Sequence, residues 1–184
     1  MPAYSYLILV AGIVAWFYPF VPAHKGTSPA KIVNRISRWG LLLQFAAYTL
    51  LWQGHFWLRS LPAWRAALSV GLFAIAAALS WTSSHALRGQ LRIVAGLGAD
   101  HKLVRSGPYS LVRHPIYTSM LVVICATAVV IAPWPLFLGS LILFVVGTEI
   151  RVRTEENLLA SQFGNEFQEY KRAVPAYIPF LVFR

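Results

Sequence analysis

Acidic side chains are scarce in this chain: six Asp and Glu stand against sixteen Lys and Arg. Charge of either sign is scarce too, at 12% of residues where soluble proteins average about 25%. With 58% of residues hydrophobic, the balance excludes an ordinary soluble domain and reads as a membrane protein, a single domain over residues 1–184. A formal net charge of +10 would point to nucleic acid in a soluble protein. Here the cations fall in loops between apolar runs, where they face anionic lipid and set topology, so no nucleic-acid partner is expected. Cysteine occurs once, at Cys125 inside an apolar run, which excludes a disulfide scaffold and a thiolate metal site within one chain. His24, His55, His85, His101 and His114 show no i, i+4 pairing, so no metal is expected. No Lys or Arg precedes Lys25, so the apolar start lacks the charged lead of a secretory signal and reads as a retained span.

Apolar sequence is what the chain has in quantity. A helical span needs about 20 apolar residues. Runs at about 3–23, 39–58 and 64–87 fit, and one at 116–149 is too long for a single crossing. Pro133-Trp134-Pro135 divides the last run into a helical hairpin, about 116–132 and 136–150, because proline lacks a donor and clashes with the preceding turn. The expected fold is all-α: a polytopic membrane bundle of about five transmembrane helices, with a helical hairpin and a cytoplasmic C-terminal helix. Its parts are three N-terminal spans (1–87), a cytoplasmic loop (88–115), the hairpin (116–150) and a C-terminal helix and tail (151–184). Lys and Arg crowd the first and third loops and the tail, whereas the second loop holds only Arg59 and Arg65 and the hairpin tip none. That alternation puts the N-terminus outside and the C-terminus in the cytoplasm. Trp39, Trp57, Trp64 and Trp134 fall near predicted span ends, as interfacial indoles do. Ser28-Pro29 signals a helix start, and Lys31, Arg35 and Arg38 would share one face of that helix, lying on headgroups.

Polar chemistry is confined to two stretches, 88–113 and 151 onward. Gly96 and Gly98 invite a dinucleotide-fold reading, which fails for want of a preceding strand and a third glycine at the right spacing. The glycines are read instead as letting the backbone turn at the membrane surface. Leu103-Val104 is an apolar pair suited either to wall an aromatic ring or to pack on the helices, and Gly107-Pro108 signals a turn. Arg113-His114-Pro115 opens the fourth span with proline in the favourable first turn and a histidine able to titrate near neutral pH, while Tyr117 brings a hydroxyl one turn deeper. On the fifth helix, which runs on past the membrane, Glu149, Arg153 and Glu156 fall at i, i+4 and i+7, and Arg151 pairs with Glu155 at i, i+4. Such pairs can be plain surface electrostatics, but a glutamate at the edge of an apolar run is costly and points to function. Carboxylates there suit ribose hydroxyls, an α-amino group or a sulfonium.

Taken together, His101-Lys102-Leu103-Val104, Gly107-Pro108-Tyr109, Arg113 to Tyr117, Arg151 to Leu159, Phe163-Gly164, Tyr170 and Val174-Pro175 resemble the isoprenylcysteine carboxyl methyltransferase family, within a wider group that includes phospholipid methyltransferases. The likeness covers about residues 100–180, and Ser119 stands where the family carries glycine or alanine. It implies S-adenosylmethionine as cofactor, bound by His101, Leu103, Val104, Gly107, Tyr109, His114, Pro115, Tyr117, Glu155 and Glu156. It also implies catalytic roles for Arg113 and Arg153, orienting a substrate carboxylate, and for Glu156. The acceptor would be a lipophilic substrate entering from the bilayer, with membrane lipids the only other partners and no obligate protein partner. A carboxylate acceptor is ionised at neutral pH and needs no base, whereas an amine must first lose a proton. The rival readings are a phospholipid amine methyltransferase, a non-enzymatic membrane module, and a sterol-type reductase, which lacks sequence to hold a nicotinamide.

Overall fold

The computed structural model describes residues 1–23, 32–33, 35–58, 60–87, 96–97 and 102–179. Its helices are α1 (Ala3–Phe17), α2 (Phe20–Ala23), α3 (Ser37–Leu51), α4 (Ala63–Leu87), α5 (Pro115–Ile131), α6 (Trp134–Phe163) and α7 (Asn165–Ala173). Short 3₁₀ turns form at Phe56–Leu58 and Gly107–Ser110. The first expected span stops early: α1 ends at Phe17 and α2 begins afresh at Phe20, because Pro19 between them has no N–H to continue the helical ladder. The second is also shorter than expected, since the chain turns at Trp52 to Gly54. At 15 residues each, α1 and α3 reach about 22 Å, below the roughly 30 Å hydrocarbon thickness. Among the described residues α4 and α6 are long and apolar enough to cross a membrane, and α1 and α5 are shorter apolar helices.

A small strand pair departs from the all-helical expectation. Ile32 pairs with Leu97 and Val33 with Gly96 in an antiparallel ladder. This overturns two expectations. Gly96 lies in extended backbone rather than in a turn, and Arg35 and Arg38 do not share a helix begun upstream, because Ile32–Val33 is strand and α3 starts only at Ser37; Ser28, Pro29 and Gly98 lie outside the described residues. β-branched residues at 32 and 33 favour that extended form. Lys31 lies outside the described residues.

The Pro-Trp-Pro signal marks the hairpin as expected, with a different division of labour. Pro133 is the N-cap of α6 and Pro135 sits in its first turn, where a missing N–H costs nothing. The two arms do not pack chiefly on each other: α5 packs mainly on α4, and α6 mainly on α3. Backbone proximity explains the second pairing. A Cβ on Gly40 would stand 2.5 Å from the Gly147 carbonyl oxygen, and one on Gly147 2.7 Å from that of Gly40. Buried polar side chains then fix the register, with the Gln44 amide donating to Thr148 Oγ1 (2.9 Å) and Ser140 Oγ to the Ala47 carbonyl (2.8 Å). On the other side, Ser69 Oγ donates to the Ala126 carbonyl (2.9 Å) between α4 and α5. Tyr48 crosses between the halves, its hydroxyl donating to the Met120 carbonyl (2.8 Å) and its ring meeting Phe144 edge-on. The indoles of Trp39, Trp57, Trp64 and Trp134 are all exposed near helix ends.

α1 is seated on α4 by Gly12, where a Cβ would lie 2.3 Å from the Phe73 ring. Gly12→Ala is therefore expected to overpack this contact and cost about 1–3 kcal/mol. Thermal unfolding of the detergent-solubilised chain would show it, and Phe73→Leu in the same chain should recover part of the loss.

Candidate functional site

Adjacent positions of α6 carry Glu155 and Glu156, and the chain surrounds them with cations drawn from three directions. Glu156 is buried. Its Oε1 accepts from Arg113 Nε (2.9 Å) and Nη2 (2.6 Å), and its Oε2 meets Lys171 Nζ at 2.8 Å. Arg113 spends its remaining reach on main chain, Nη1 donating to the carbonyls of Lys171 (3.0 Å) and Val174. This guanidinium, expected to orient a substrate, ties together the start of α5, α6 and the segment after α7.

Glu155 keeps a quarter of its side chain exposed. Its Oε1 accepts from the Tyr117 hydroxyl, and that hydroxyl accepts from Arg151 Nε at 2.7 Å. Arg151 Nη2 stands 3.6 Å from Glu155, and its guanidinium lies over the Tyr117 ring. His114 is wedged between the carboxylates, Nδ1 3.5 Å from Glu155 Oε2 and Nε2 3.4 Å from Glu156 Oε1, with its ring stacked on that of Tyr117. Burial alone would push the His114 pKa down. The flanking Glu155 and Glu156 carboxylates outweigh it and hold the imidazole above its ordinary value.

Local sequence explains the placement. Gly107 adopts φ +63, a conformation open to glycine, and starts the turn that buries Tyr109. His114 is the N-cap of α5 and Pro115 opens its first turn. The tail closes the entry to α5: Arg113 and His114 N–H donate to the carbonyls of Pro175 and Ala176, both at 2.8 Å, and Thr118 Oγ1 donates to that of Tyr177 at 2.7 Å. Gly164, at φ +50, breaks α6 from α7. α7 then turns Phe167 and Tyr170 inward, the Tyr170 hydroxyl donating to the Tyr109 carbonyl at 2.5 Å, while Glu166 pairs with Arg105 at 2.8 Å.

Of the residues expected to form the site, Arg113, His114, Pro115, Tyr117, Glu155 and Glu156 come together. Tyr109 adjoins them through Tyr170, and Leu103 and Val104 are half-buried. His101 lies outside the described residues. Arg153 does not join Glu156. It projects outward, three-quarters exposed, and pairs with Glu149 at 2.7 Å. The helical face expected to hold Glu149, Arg153 and Glu156 splits, since Glu156 is some 60° of helix away from Arg153 and is drawn inward by Arg113. Arg151, foreseen only as the partner of a helical ion pair, is the buried guanidinium. Its signal was present, in an arginine four positions before a glutamate pair. Lys171 and the carbonyls of residues 174–177 had no local signal. The hydroxyl at the unusual Ser119 is used within the fold, accepting from Trp16 Nε1 at 3.0 Å.

Among the described residues the cluster sets Arg113, Arg151 and Lys171 against two carboxylates, with His114 adding further positive charge when protonated. Such a site suits an anionic group, with Glu155 open to a donor. The arrangement also leaves the His114 Nε2 atom buried without a hydrogen bond.

Comparison with known proteins adds the following. A family model described as phospholipid methyltransferase matches residues 64–166, which contain α4, α5, α6 and every member of the cluster except Lys171. Protein-S-isoprenylcysteine O-methyltransferase of Schizosaccharomyces pombe is 35% identical over 83 residues, 45% of this chain and 35% of that protein. Protein-S-isoprenylcysteine O-methyltransferase B of Arabidopsis thaliana is 33% identical over 82 residues, 44% of this chain and 41% of that protein. The cobalt-zinc-cadmium resistance protein CzcN of Cupriavidus metallidurans is 38% identical over 80 residues, 44% of this chain and 37% of that protein. The chain thus matches about two fifths or less of the length of these relatives.

Removing the brace should be costly. Arg113→Ala leaves Glu156 buried with only Lys171 and His114 near it and is expected to cost about 3 kcal/mol, read from thermal unfolding in detergent. The histidine gives a pH signature of fixed sign. Its folded pKa is raised, so its contribution is fully present below the ordinary value of 6.5 and is lost as pH rises through the raised value. The thermal midpoint should fall over that interval, and His114→Gln should flatten the fall.

Proposed function

The chain belongs to the phospholipid methyltransferase family, and from that premise we propose that it is a multi-pass membrane methyltransferase. In this reading it uses S-adenosylmethionine to methylate the carboxylate of a lipid-borne acid of the isoprenylcysteine kind. Proteins similar to it carry the name protein-S-isoprenylcysteine O-methyltransferase, which supports the acceptor class.

The observation that carries the choice of acceptor is the position of His114 between two carboxylates. The flanking carboxylates favour the protonated imidazole, which has no lone pair to take a proton, and Glu155 and Glu156 are themselves committed to arginine, lysine and tyrosine. No free base therefore stands within the cluster, as described. An amine acceptor would need one. A carboxylate needs none, being ionised already, and the surplus of buried cations favours its approach.

The donor set also fits the cofactor. The net positive cluster suits its carboxylate, and Glu155, a quarter exposed, suits its amino group or ribose hydroxyls. Leu103 and Val104 offer an apolar wall for its base, with Gly107, Tyr109 and Tyr117 alongside. When bound, S-adenosylmethionine supplies a methyl group on a sulfonium, whose departure leaves a neutral thioether. Arg151 takes the orienting role first assigned to Arg153, because it is the buried guanidinium beside Glu155. Arg113 and Glu156 hold the frame rather than touch substrate.

In the membrane the reading is of about five crossings, N-terminus outside, with the cluster and the C-terminus cytoplasmic. The loop charges support it, and so does the ladder that joins 32–33 of the first loop to 96–97 of the third.

Calorimetry with S-adenosylhomocysteine on the solubilised chain should give binding, weakened about tenfold or more by Glu155→Gln, since a hydrogen bond to a charged group is lost. Tritiated methyl should appear in a base-labile ester, and Arg151→Lys should slow its formation far more than Arg153→Lys. Label in a base-stable lipid amine would overturn the acceptor, and absence of binding would overturn the cofactor.

A further inference from the structure

α3 lies outside the residues matched by the family model, yet it forms the back wall of the cluster. The contact is made at Gly40. A Cβ there would stand 2.6 Å from Arg151 Cγ and 3.4 Å from its Cδ, as well as 2.5 Å from the Gly147 carbonyl oxygen. Distances under 3.0 Å demand movement, and the first atom met on Arg151 lies close to the helix rather than at a flexible tip. The Arg151 stem thus runs over bare α3 backbone before its Nε reaches the Tyr117 hydroxyl, which in turn holds Glu155.

We propose that Gly40 is a positioning residue for the site: by carrying no side chain, it lets Arg151 lie between α3 and α6 with its guanidinium on Tyr117, and so fixes the direction of Glu155. The inference rests on reading the cluster as the cofactor-binding end of the protein. It makes the N-terminal half, which carries no motif of its own, a determinant of ligand affinity. The chain of contacts is directional. A side chain at 40 displaces Arg151, the Tyr117 hydroxyl loses its donor, and Glu155 loses its restraint. Geometry of this kind is unforgiving, since displacements of about 1 Å at a site can change its performance about a hundredfold.

The test is a double-mutant cycle on the full chain in detergent, with S-adenosylhomocysteine affinity and thermal midpoint both measured. Gly40→Ala should weaken binding by about tenfold or more, and most of that effect should vanish in an Arg151→Ala background, because the displaced group is already gone. Gln44→Met removes the hydrogen bond to Thr148 on the same helix pair without reaching Arg151. It should lower the midpoint and leave affinity within about twofold. Equal losses of affinity from Gly40→Ala in both backgrounds would overturn the proposal, as would a loss from Gln44→Met as large as that from Gly40→Ala. If the unaltered chain binds no S-adenosylhomocysteine, the cofactor reading fails by itself. The midpoints then decide the placement: Gly40→Ala should cost less in the Arg151→Ala chain, where one of its two collisions has been removed, and equal costs would overturn it.

Discussion

Two carboxylates on neighbouring positions of one helix are withdrawn from most of the water around them, and a membrane-facing bundle has few ways to pay that cost. Left alone, each would favour either protonation or expulsion to the surface. Here Glu156 is bound by Arg113 from the start of α5 and by Lys171 from α7, while Glu155 is bound through Tyr117 by Arg151. His114 bridges the two. Segments far apart in the chain are therefore held at one point by charge, and the apolar packing beneath has only to bring the helix ends near each other. The same pairing that stabilises the ends of α5, α6 and α7 occupies both carboxylates, and the proposal of a carboxylate acceptor rests on it.

Packing in the bilayer region is organised differently from the way a hairpin sequence suggests. Pro133-Trp134-Pro135 forces the chain to reverse, yet says nothing about which neighbour each arm will choose. That choice comes from Gly40 and Gly147, whose bare backbones let α3 and α6 approach, and from Ser69, which ties α4 to α5. The halves then meet through Tyr48 and, at the cluster, through Arg151 and Tyr117. Gln44, Tyr48, Ser69 and Ser140 are informative in such surroundings because each has found a partner on another helix.

Much of this was legible in the sequence for physical reasons. Proline position gave the hairpin and the start of α5, tryptophan gave the helix ends, and the short spacing from Arg113 to Tyr117 placed a histidine and a phenol on one helix start. The fixed pitch of a helix gave the Arg151–Glu155 and Glu149–Arg153 pairs. What periodicity could not supply was which of two arginines, two positions apart, faces inward, because long side chains near a boundary follow their partners rather than the pitch. Nor could it show that Ile32–Val33 finds Gly96–Leu97, or that Lys171 reaches Glu156, since those contacts join segments with no local mark. The short lengths of α1 and α3 were hidden for a similar reason, as apolar residues continue past the point where the backbone turns.

The clasp between the tail and α5 is made by carbonyl oxygens, those of Pro175 and Ala176 on the Arg113 and His114 amides and that of Tyr177 on the Thr118 hydroxyl. Oxygens of the main chain are common to every amino acid, so exchanging one side chain for another along this stretch leaves the acceptors where they are. Loss or gain of a single codon there is a different matter: each acceptor would slip by one position, and all three bonds would lose register together.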